Sequence, residues 1–379
     1  MMNRQKHKPA KEYAIKVWDL PVRIFHWVLV VSFITTWLTL DNQYLDIHIF
    51  AGYLIGSLAF FRVIWGFMGG RYALFSSFFF NFTQIKSHIK SVLKRSPDHY
   101  LGHNPGGSIA IYLLLILSLF MVISGLLAMG GEEQQGLLAG VLNYPQGKMA
   151  HNIHNVLAWI MLSVVSIHVL GVLLESLLSK ENLVRAMISG NKMSNHSAPS
   201  TKLHYKTAVM LIIAVMLGGG YWFQGYFFEA EYPVYVPFSG PQLPDNALWR
   251  EECGSCHLAF HPSLLPSRSW QLMIKQQSSH FNEDLYLEPE VQQEILQFLV
   301  QNSAENELTE PAYKINRSIA KSDTLLRISK TPYWIRKHKD IEKHNWQLES
   351  VRTEANCAAC HLDADAGTFE DAAMRLPIK

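Results

Sequence analysis

Five apolar runs constrain the fold of this chain more than any other feature of its sequence. They lie at roughly 22–40, 48–68, 109–129, 153–174 and 207–227. Each is close to the length of about 20 residues that an α-helix needs to cross a lipid bilayer. Because a bilayer offers no water to backbone N–H and C=O groups, such runs fold as helices. The first run carries Arg23 and His26 and has no small-residue cleavage site, so we expect a retained helix and not a signal peptide.

Basic residues in the connecting segments predict the orientation of the five helices. Three segments carry 6, 5 and 5 Lys and Arg, namely residues 1–23, 69–108 and 175–206. The other two connections are nearly devoid of them, since 41–47 has none and 130–152 has only one. By the positive-inside rule we expect a cytoplasmic N-terminus, and five crossings then place the C-terminal domain in the periplasm.

The charge of the chain is divided between two unlike parts. Residues 1–228 hold 18 Lys and Arg and 9 Asp and Glu, net +9, whereas residues 229–379 hold 15 and 22, net −7. No stripe of Lys and Arg with interleaved aromatic residues occurs in either part, which excludes nucleic acid as a partner. The composition predicts four segments: a membrane domain at 1–192, a cytoplasmic linker at 193–206, a fifth transmembrane helix at 207–228 and a periplasmic domain at 229–379.

All four cysteines lie in two pentapeptides, CGSCH at 253–257 and CAACH at 357–361. A Cys-x-x-Cys-His sequence is the attachment site of a c-type haem, in which two thiols form thioethers and the adjacent His binds the iron. We therefore expect two covalent haems c, held by Cys253, Cys256, His257, Cys357, Cys360 and His361. The alternatives are a zinc ribbon, a redox dithiol or a disulfide framework, but none of them requires the His. Haem attachment takes place on the periplasmic face of the bacterial inner membrane, in agreement with the predicted orientation.

Four histidines lie within or at the ends of the apolar runs, where an ionisable side chain is costly and is therefore a functional candidate. They are His26, His48, His154 and His168. His154 and His168 are fourteen residues apart on one helix, a rise of roughly 21 Å, and they share a face. This arrangement suits two stacked haems b with bis-imidazole ligation, in which depth pairs His26 with His168 and His48 with His154. For each residue the alternative is a hydrogen-bonded core histidine.

Other polar residues near the spans have less defined roles. We expect His151 in the periplasmic loop, off the face of His168, and His103 in a loop near a partner or a quinone. Arg23 and Arg62 lie at the cytoplasmic ends of helices. There they either pair with haem propionates or anchor the helices in the lipid headgroups.

Four stretches in the first half of the chain resemble the bacterial cytochrome b561 and nickel-hydrogenase cytochrome b family over about residues 15–192. They are VWDLPVRIFHW, IHIFAGYLIGSLAFFRVIWGFMGGRYALF, YLGHNPGGSIAIYLLLILSLFMVISGL and HNVLAWIMLSVVSIHVLGVLLESLLSKENLVRAMISGNK. The resemblance implies a four-helix bundle in which the four intramembrane histidines bind two haems b. One departure is Asn155, where the family often has an acidic residue, and it puts in doubt only a hydrogen bond next to the ligand.

The surroundings of the two pentapeptides resemble periplasmic dihaem cytochromes c of purple-bacterial type over about residues 247–377. The matching stretches are ECGSCHLAFHPSLLPSRSWQLMIKQQSSHFNEDLYLEPEVQQEILQFL, TPYWIRKHKDIEKHNW and ANCAACHLDADAGTFEDAAMRLP. By residue type alone the candidates for the sixth iron ligand are His261, Met273, His280, His338, His344 and Met374. The resemblance implies His280 and His338 as distal ligands, with His344 as the main competitor of His338.

Together these features predict an all-α fold with a transmembrane four-helix haem b bundle, a fifth transmembrane helix and a mostly helical periplasmic c-type cytochrome domain. We expect electron transfer through two haems b and two haems c, linking the quinone pool to a soluble periplasmic redox protein. The acidic domain favours a basic partner. The sequence leaves open whether the protein is a quinol:cytochrome c-type oxidoreductase or only a conduit. The alternatives are a membrane cytochrome subunit of a larger dehydrogenase or hydrogenase, and a haem-based sensor of small ligands or redox state.

Overall fold

The structure is a computed structural model that describes residues 13–41, 44–224, 240–370 and 373–375. The chain forms two compact units. One consists of Met1–Ile123 and Asn155–Ala230, and the other of Ser124–His154 and Glu231–Lys379. The predicted border between the fifth transmembrane helix and the periplasmic domain, at residues 228 and 229, lies outside the described residues.

Long helices dominate the first part of the chain. The helices are α1 (Leu20–Leu38), α2 (Leu45–Met68), α3 (Phe82–Leu93), α4 (Pro105–Glu132), α5 (Tyr144–Ser179), α6 (Leu183–Ser189) and α7 (Tyr205–Trp222). Within the described residues, α1, α2, α4, α5 and α7 are long and apolar enough to cross a membrane. This confirms the prediction of four bundle helices and a fifth spanning helix.

The start of α1 is held by one buried carboxylate. Asp19 caps the helix by accepting a hydrogen bond from the Val22 N–H at 3.0 Å, and a proline occupies the first turn, where it needs no backbone donor. The second oxygen of Asp19 accepts from Trp65 Nε1 and from the Gly70 N–H, both at 3.1 Å. Asp19 therefore ties the beginning of α1 to the end of α2.

Helix α5 begins earlier than the apolar run predicts. It starts at Tyr144, and Asn143 and Gln146 cap it reciprocally through side chain to backbone hydrogen bonds of 3.1 and 3.0 Å. His151 consequently lies on the helix, and the prediction that it lies in a loop is wrong. Its Nδ1 pairs with Glu132 at 2.7 Å. The first turns of α5 are polar, so they carry no hydrophobic signal that could have marked them.

A small antiparallel sheet joins two segments that are distant in sequence. Strand β1 (Tyr13–Lys16) pairs with β2 (Asn191–Ser194), with Tyr13 opposite Ser194. The sheet borders a cluster of buried side chains: Ile15, Val17, Trp18, Val22, Trp65, Ala73 and Ala186. The fold is otherwise helical, as predicted.

Short helices and turns build the second part of the chain. The helices are α8 (Ala247–Gly254), α9 (Ser267–Lys275), α10 (Pro289–Gln301), α11 (Glu310–Ser318), α12 (Pro332–His338) and α13 (Lys343–Trp346). Their main core consists of Trp249, Leu265, Trp270, Ile274, Leu287, Ile295, Phe298 and Leu299. The segment between α4 and α5 packs against this part, because the Tyr144 N–H donates to the Leu308 carbonyl at 3.0 Å and Gln135 donates to Glu370 at 3.2 Å.

Candidate haem sites

The first pentapeptide begins in the last turn of α8. Cys253 is the penultimate residue of that helix, and His257 lies in the turn after it. The imidazole ring of His257 lies 6.3 Å from that of His280, centre to centre, and the two planes are inclined by only 29°. Nδ1 of His257 donates to the Leu258 carbonyl at 2.7 Å, which leaves its Nε2 available to a metal.

The second pentapeptide forms a single 3-10 turn at Cys357–Ala359. The ring of His361 lies 6.3 Å from the ring of His338, at the end of α12, with the planes inclined by 70°. Nδ1 of His338 donates to the Trp334 carbonyl one turn back at 2.9 Å, and the ring stacks on the Trp334 indole at 4.2 Å. These contacts hold the imidazole in one orientation with Nε2 free of the helix.

Both histidine pairs fit a six-coordinate haem iron. A metal–imidazole bond is about 2 Å long, so two axial imidazoles on one iron have their centres roughly 6 Å apart. Burial is the main reason why the pKa values of His280 and His338 are lowered, and it keeps both rings in the neutral form that binds a metal.

No disulfide joins the thiols of the two pentapeptides, because all four cysteines are free. Burial, and then the neighbouring Glu252 carboxylate, raise the pKa of Cys253 to about 11, and burial raises that of Cys357 to about 11. Among the described residues no three His, Cys, Asp or Glu side chains converge in a way that could hold a metal ion.

The other candidates for the sixth ligand lie in different surroundings. His344 pairs with Glu342 at 3.0 Å and its side chain is 49% exposed. His261 is buried and caps a 3-10 turn, with Nδ1 2.8 Å from Ser263 Oγ. Met273 borders a pocket of about 210 Å³ that His280 also lines. Met374 pairs through its backbone with His361.

His26 on α1 and His168 on α5 lie close enough to interact electrostatically. Nδ1 of His26 is buried and has no hydrogen-bond partner within the described residues. A buried imidazole nitrogen without a partner is costly, so His26 needs a partner that the described residues do not supply. His26 and His168 are the two histidines that the sequence predicts to bind one haem b.

His48 and His154 are each held by a neighbouring residue. Nδ1 of His48 donates to the Thr36 carbonyl at 3.1 Å, and Nδ1 of His154 lies 3.0 Å from Ser124 Oγ. At Gly125 a Cβ atom would come within 3.3 Å of the His154 ring, so a small residue is needed there. The sequence analysis did not find Thr36 or Ser124, because serine and threonine are common in transmembrane helices and carry no spacing signal. In metal-binding histidines a hydrogen bond at Nδ1 fixes the orientation of the ring whose Nε2 binds the metal.

Comparison with known proteins identifies both halves of the chain. Residues 17–190 match the family described as prokaryotic cytochrome b561. The probable Ni/Fe-hydrogenase B-type cytochrome subunit of Rhodobacter capsulatus is 30% identical over 213 residues, which cover 47% of this chain and 81% of that protein. The chain belongs to the prokaryotic cytochrome b561 family. The corresponding subunit of Rhizobium leguminosarum bv. viciae is 27% identical to this cytochrome over 219 residues, 49% of the chain and 92% of that protein.

The second half of this cytochrome b561 family member matches another haem protein family. Residues 249–369 match dihaem cytochrome c. Two similar solved structures are diheme cytochromes c. One, from Rhodobacter sphaeroides, has 35% identity, a TM-score of 0.30 and coverage of 34% of this chain and 100% of that chain. The other, from Shewanella baltica OS155, has 28% identity, a TM-score of 0.29 and coverage of 35% and 94%.

The two families together define the general function of the chain. A cytochrome b561 domain and a dihaem cytochrome c domain imply haem b and haem c as cofactors and haem-based electron transfer as the activity. Five apolar helices in a member of this family indicate a multi-pass membrane protein.

Proposed function

We propose that this protein carries electrons across the inner membrane of a bacterium, between the quinone pool and a soluble redox protein in the periplasm. The observation that supports this most is the pair of 6.3 Å ring separations beside the two Cys-x-x-Cys-His sequences, in a chain whose other half is a cytochrome b561. Bound haem supplies a one-electron carrier at each site. The protein residues hold it, set its potential and exclude water from it.

The proposal assigns four haems. Two haems c are attached through Cys253 and Cys256 and through Cys357 and Cys360. Their irons are bound by His257 with His280 and by His361 with His338. Two haems b are bound by His26 with His168 and by His48 with His154, the second pairing being argued from the sequence alone. The hydrogen bonds of Nδ1 in His48 and His154 support the assignment, because a metal-binding imidazole usually donates its other N–H.

The orientation follows from charge. Lys and Arg concentrate in the connections that we place in the cytoplasm, so the dihaem domain lies in the periplasm. Residues 229–379 carry a net charge of −7, which steers a basic partner toward this domain and makes the encounter rate fall as salt is added.

The first test is a redox titration of the detergent-purified protein by optical and EPR spectroscopy, with haem b and haem c quantified as pyridine haemochromes. Two haems of each kind, all low-spin and all reducible by a quinol analogue, are the expected result. Absence of haem b would overturn the transmembrane path. A high-spin haem c would indicate an iron with an open coordination position. That site would then bind a small ligand, as a sensor does, in place of transferring electrons.

A second candidate function is favoured by the names of the relatives, which are Ni/Fe-hydrogenase B-type cytochrome subunits. In that case the cytochrome b561 domain accepts electrons from a dehydrogenase or hydrogenase subunit and the dihaem domain is an additional outlet. The same titration separates the two. Reduction of all haems by a quinol analogue alone supports the quinone link, whereas reduction only after addition of hydrogen and a Ni/Fe hydrogenase supports the subunit role.

A further inference from the structure

Arg62 is a buried cation with no carboxylate at ion-pair distance among the described residues. It lies on α2, its side chain is 3% exposed, and Nη1 has no hydrogen-bond partner within the described residues. None of the carboxylate oxygens that the structure describes lies within 4 Å of its guanidinium nitrogens. A buried charge is costly unless it is paired and hydrogen-bonded, so the fold must provide Arg62 with a counter-charge.

The carboxylate of Asp19 is already used by other donors. Asp19 interacts with Arg62 electrostatically, but its two oxygens already accept three N–H groups, those of Val22, Gly70 and the Trp65 indole. The aromatic rings of Phe75 and Phe78, at 5.1 and 5.8 Å from the guanidinium carbon, contribute cation–π attraction. They offer no acceptor in the plane of the guanidinium.

His103 is a second polar residue with a buried atom that has no partner among the described residues, and it packs on the ring of Phe78. His103 packs between Phe78 and Trp18, with ring centres 4.4 and 4.6 Å away, and its buried Nδ1 has no partner among the described residues. Burial, and then the charges of Arg62 and Lys192, lower the pKa of His103 to about 3, so the ring is neutral and can donate one N–H. His168 is also within electrostatic range of His103.

We propose that Arg62 and His103 form a carboxylate-binding site that holds a propionate of the haem bound by His26 and His168. The inference rests on the proposed haem b ligands. A propionate supplies the missing charge and matches the planar fork of the guanidinium, which binds carboxylates through two parallel hydrogen bonds. His103 donates to the same carboxylate.

Arg23 is the obvious alternative, since it lies one turn from His26. Its guanidinium donates to the Ile188 carbonyl in α6, so part of its hydrogen-bonding capacity is already used, although its buried Nε has no partner among the described residues. Arg62 has no such backbone partner among the described residues. This difference selects Arg62 as the residue that pairs with the haem.

The test compares Arg62→Gln with Arg71→Gln, an exposed arginine on the segment after α2 that serves as the matched control. Both proteins are titrated in detergent with haem b quantified as the pyridine haemochrome. In Arg62→Gln we expect unchanged haem b content and a fall of at least tenfold in the reduction equilibrium constant of one haem b, about 59 mV for one electron. The fall arises because an unpaired propionate favours the oxidised, more positive haem. Unchanged potentials with full haem content would overturn the inference.

Two further variants keep the inference testable if Arg62→Gln does not fold. Arg62→Lys retains the positive charge but cannot form two parallel hydrogen bonds to a carboxylate. His103→Phe retains the aromatic packing but has no N–H to donate. In each we expect a shift of the propionate bending band in the resonance Raman spectrum of haem b. An unshifted band in both variants would overturn the propionate assignment. Wild-type protein that lacks haem b would instead refute the proposed function.

Discussion

The imidazole rings of His257 and His280 lie 6.3 Å apart, centre to centre, with their planes inclined by 29°. Twenty-three residues separate them in the sequence, and the chain brings them face to face through α9 and the 3-10 turn at Gln277–Ser279. The spacing leaves room for one metal atom between the two rings. This relationship supports the proposal that His257 and His280 bind one haem iron from opposite sides.

Replacing His280 by Ala should convert one haem c from low-spin to high-spin, because the iron would lose its sixth ligand. EPR and the optical change on adding carbon monoxide measure this. His280→Met should instead keep the haem low-spin and raise its potential, since His/Met ligation raises the potential of c-type haems. His344→Ala is the control, because that ring pairs with Glu342. Two low-spin haems c in His280→Ala would contradict the assignment.

Replacing Ser124 by Ala should weaken binding of the haem b that we assign to His154. The hydroxyl holds Nδ1 of His154 at 3.0 Å, and loss of such a hydrogen bond lowers metal affinity about 10–100-fold. Haem b retained after passage over apomyoglobin measures the change. Ser118→Ala is the matched control, since its hydroxyl donates to the Leu114 carbonyl in the same helix at 2.7 Å. Equal haem retention in the two variants would argue against a ligand role of His154.

Replacing Asp19 by Asn should lower the thermal stability of the membrane domain. The carboxylate accepts three buried N–H groups, and an amide NH₂ would face at least one of these donors. We expect a loss of about 1–3 kcal/mol, measured as a lower apparent Tm in detergent. Asp98→Asn, at an exposed position, should change stability by no more than about 0.5 kcal/mol. Equal melting of the two variants would show that the three hydrogen bonds are not stabilising.

The dihaem domain should lose stability as the pH falls from 6.5 to 4. Burial lowers the pKa of His261 from 6.5 to about 4, so the folded state resists protonation that the unfolded chain accepts. The contribution of His261 to the free energy of unfolding amounts to about 3 kcal/mol. It is fully present above pH 6.5 and is lost as the pH approaches 4. Denaturant unfolding of wild type and of His261→Asn, which retains a capping acceptor, measures this. We expect a flatter pH profile for the variant, and parallel profiles would assign the acid sensitivity to other groups.

The spanning helices and the haem c attachment sequences could be predicted because both are local. An apolar run of sufficient length has few folds open to it in a bilayer, and thioether formation requires two Cys and a His at fixed spacing. The start of α5 was predicted wrongly at residue 153 instead of Tyr144, since polar first turns carry no apolar signal. The distal roles of His280 and His338 came from resemblance. They stay predictions, which the two ring distances support.

The sequence by itself determined which residues can bind haem and which segments can cross a membrane, because residue type, spacing and run length carry that information. Only the tertiary structure decided which groups meet. It brought Ser124 to His154, paired β1 with β2 across more than 170 residues and left Nη1 of Arg62 without a hydrogen-bond partner among the described residues. Such contacts depend on how whole helices pack, and the free energy of packing is shared among many side chains. No single local pattern can therefore reveal them.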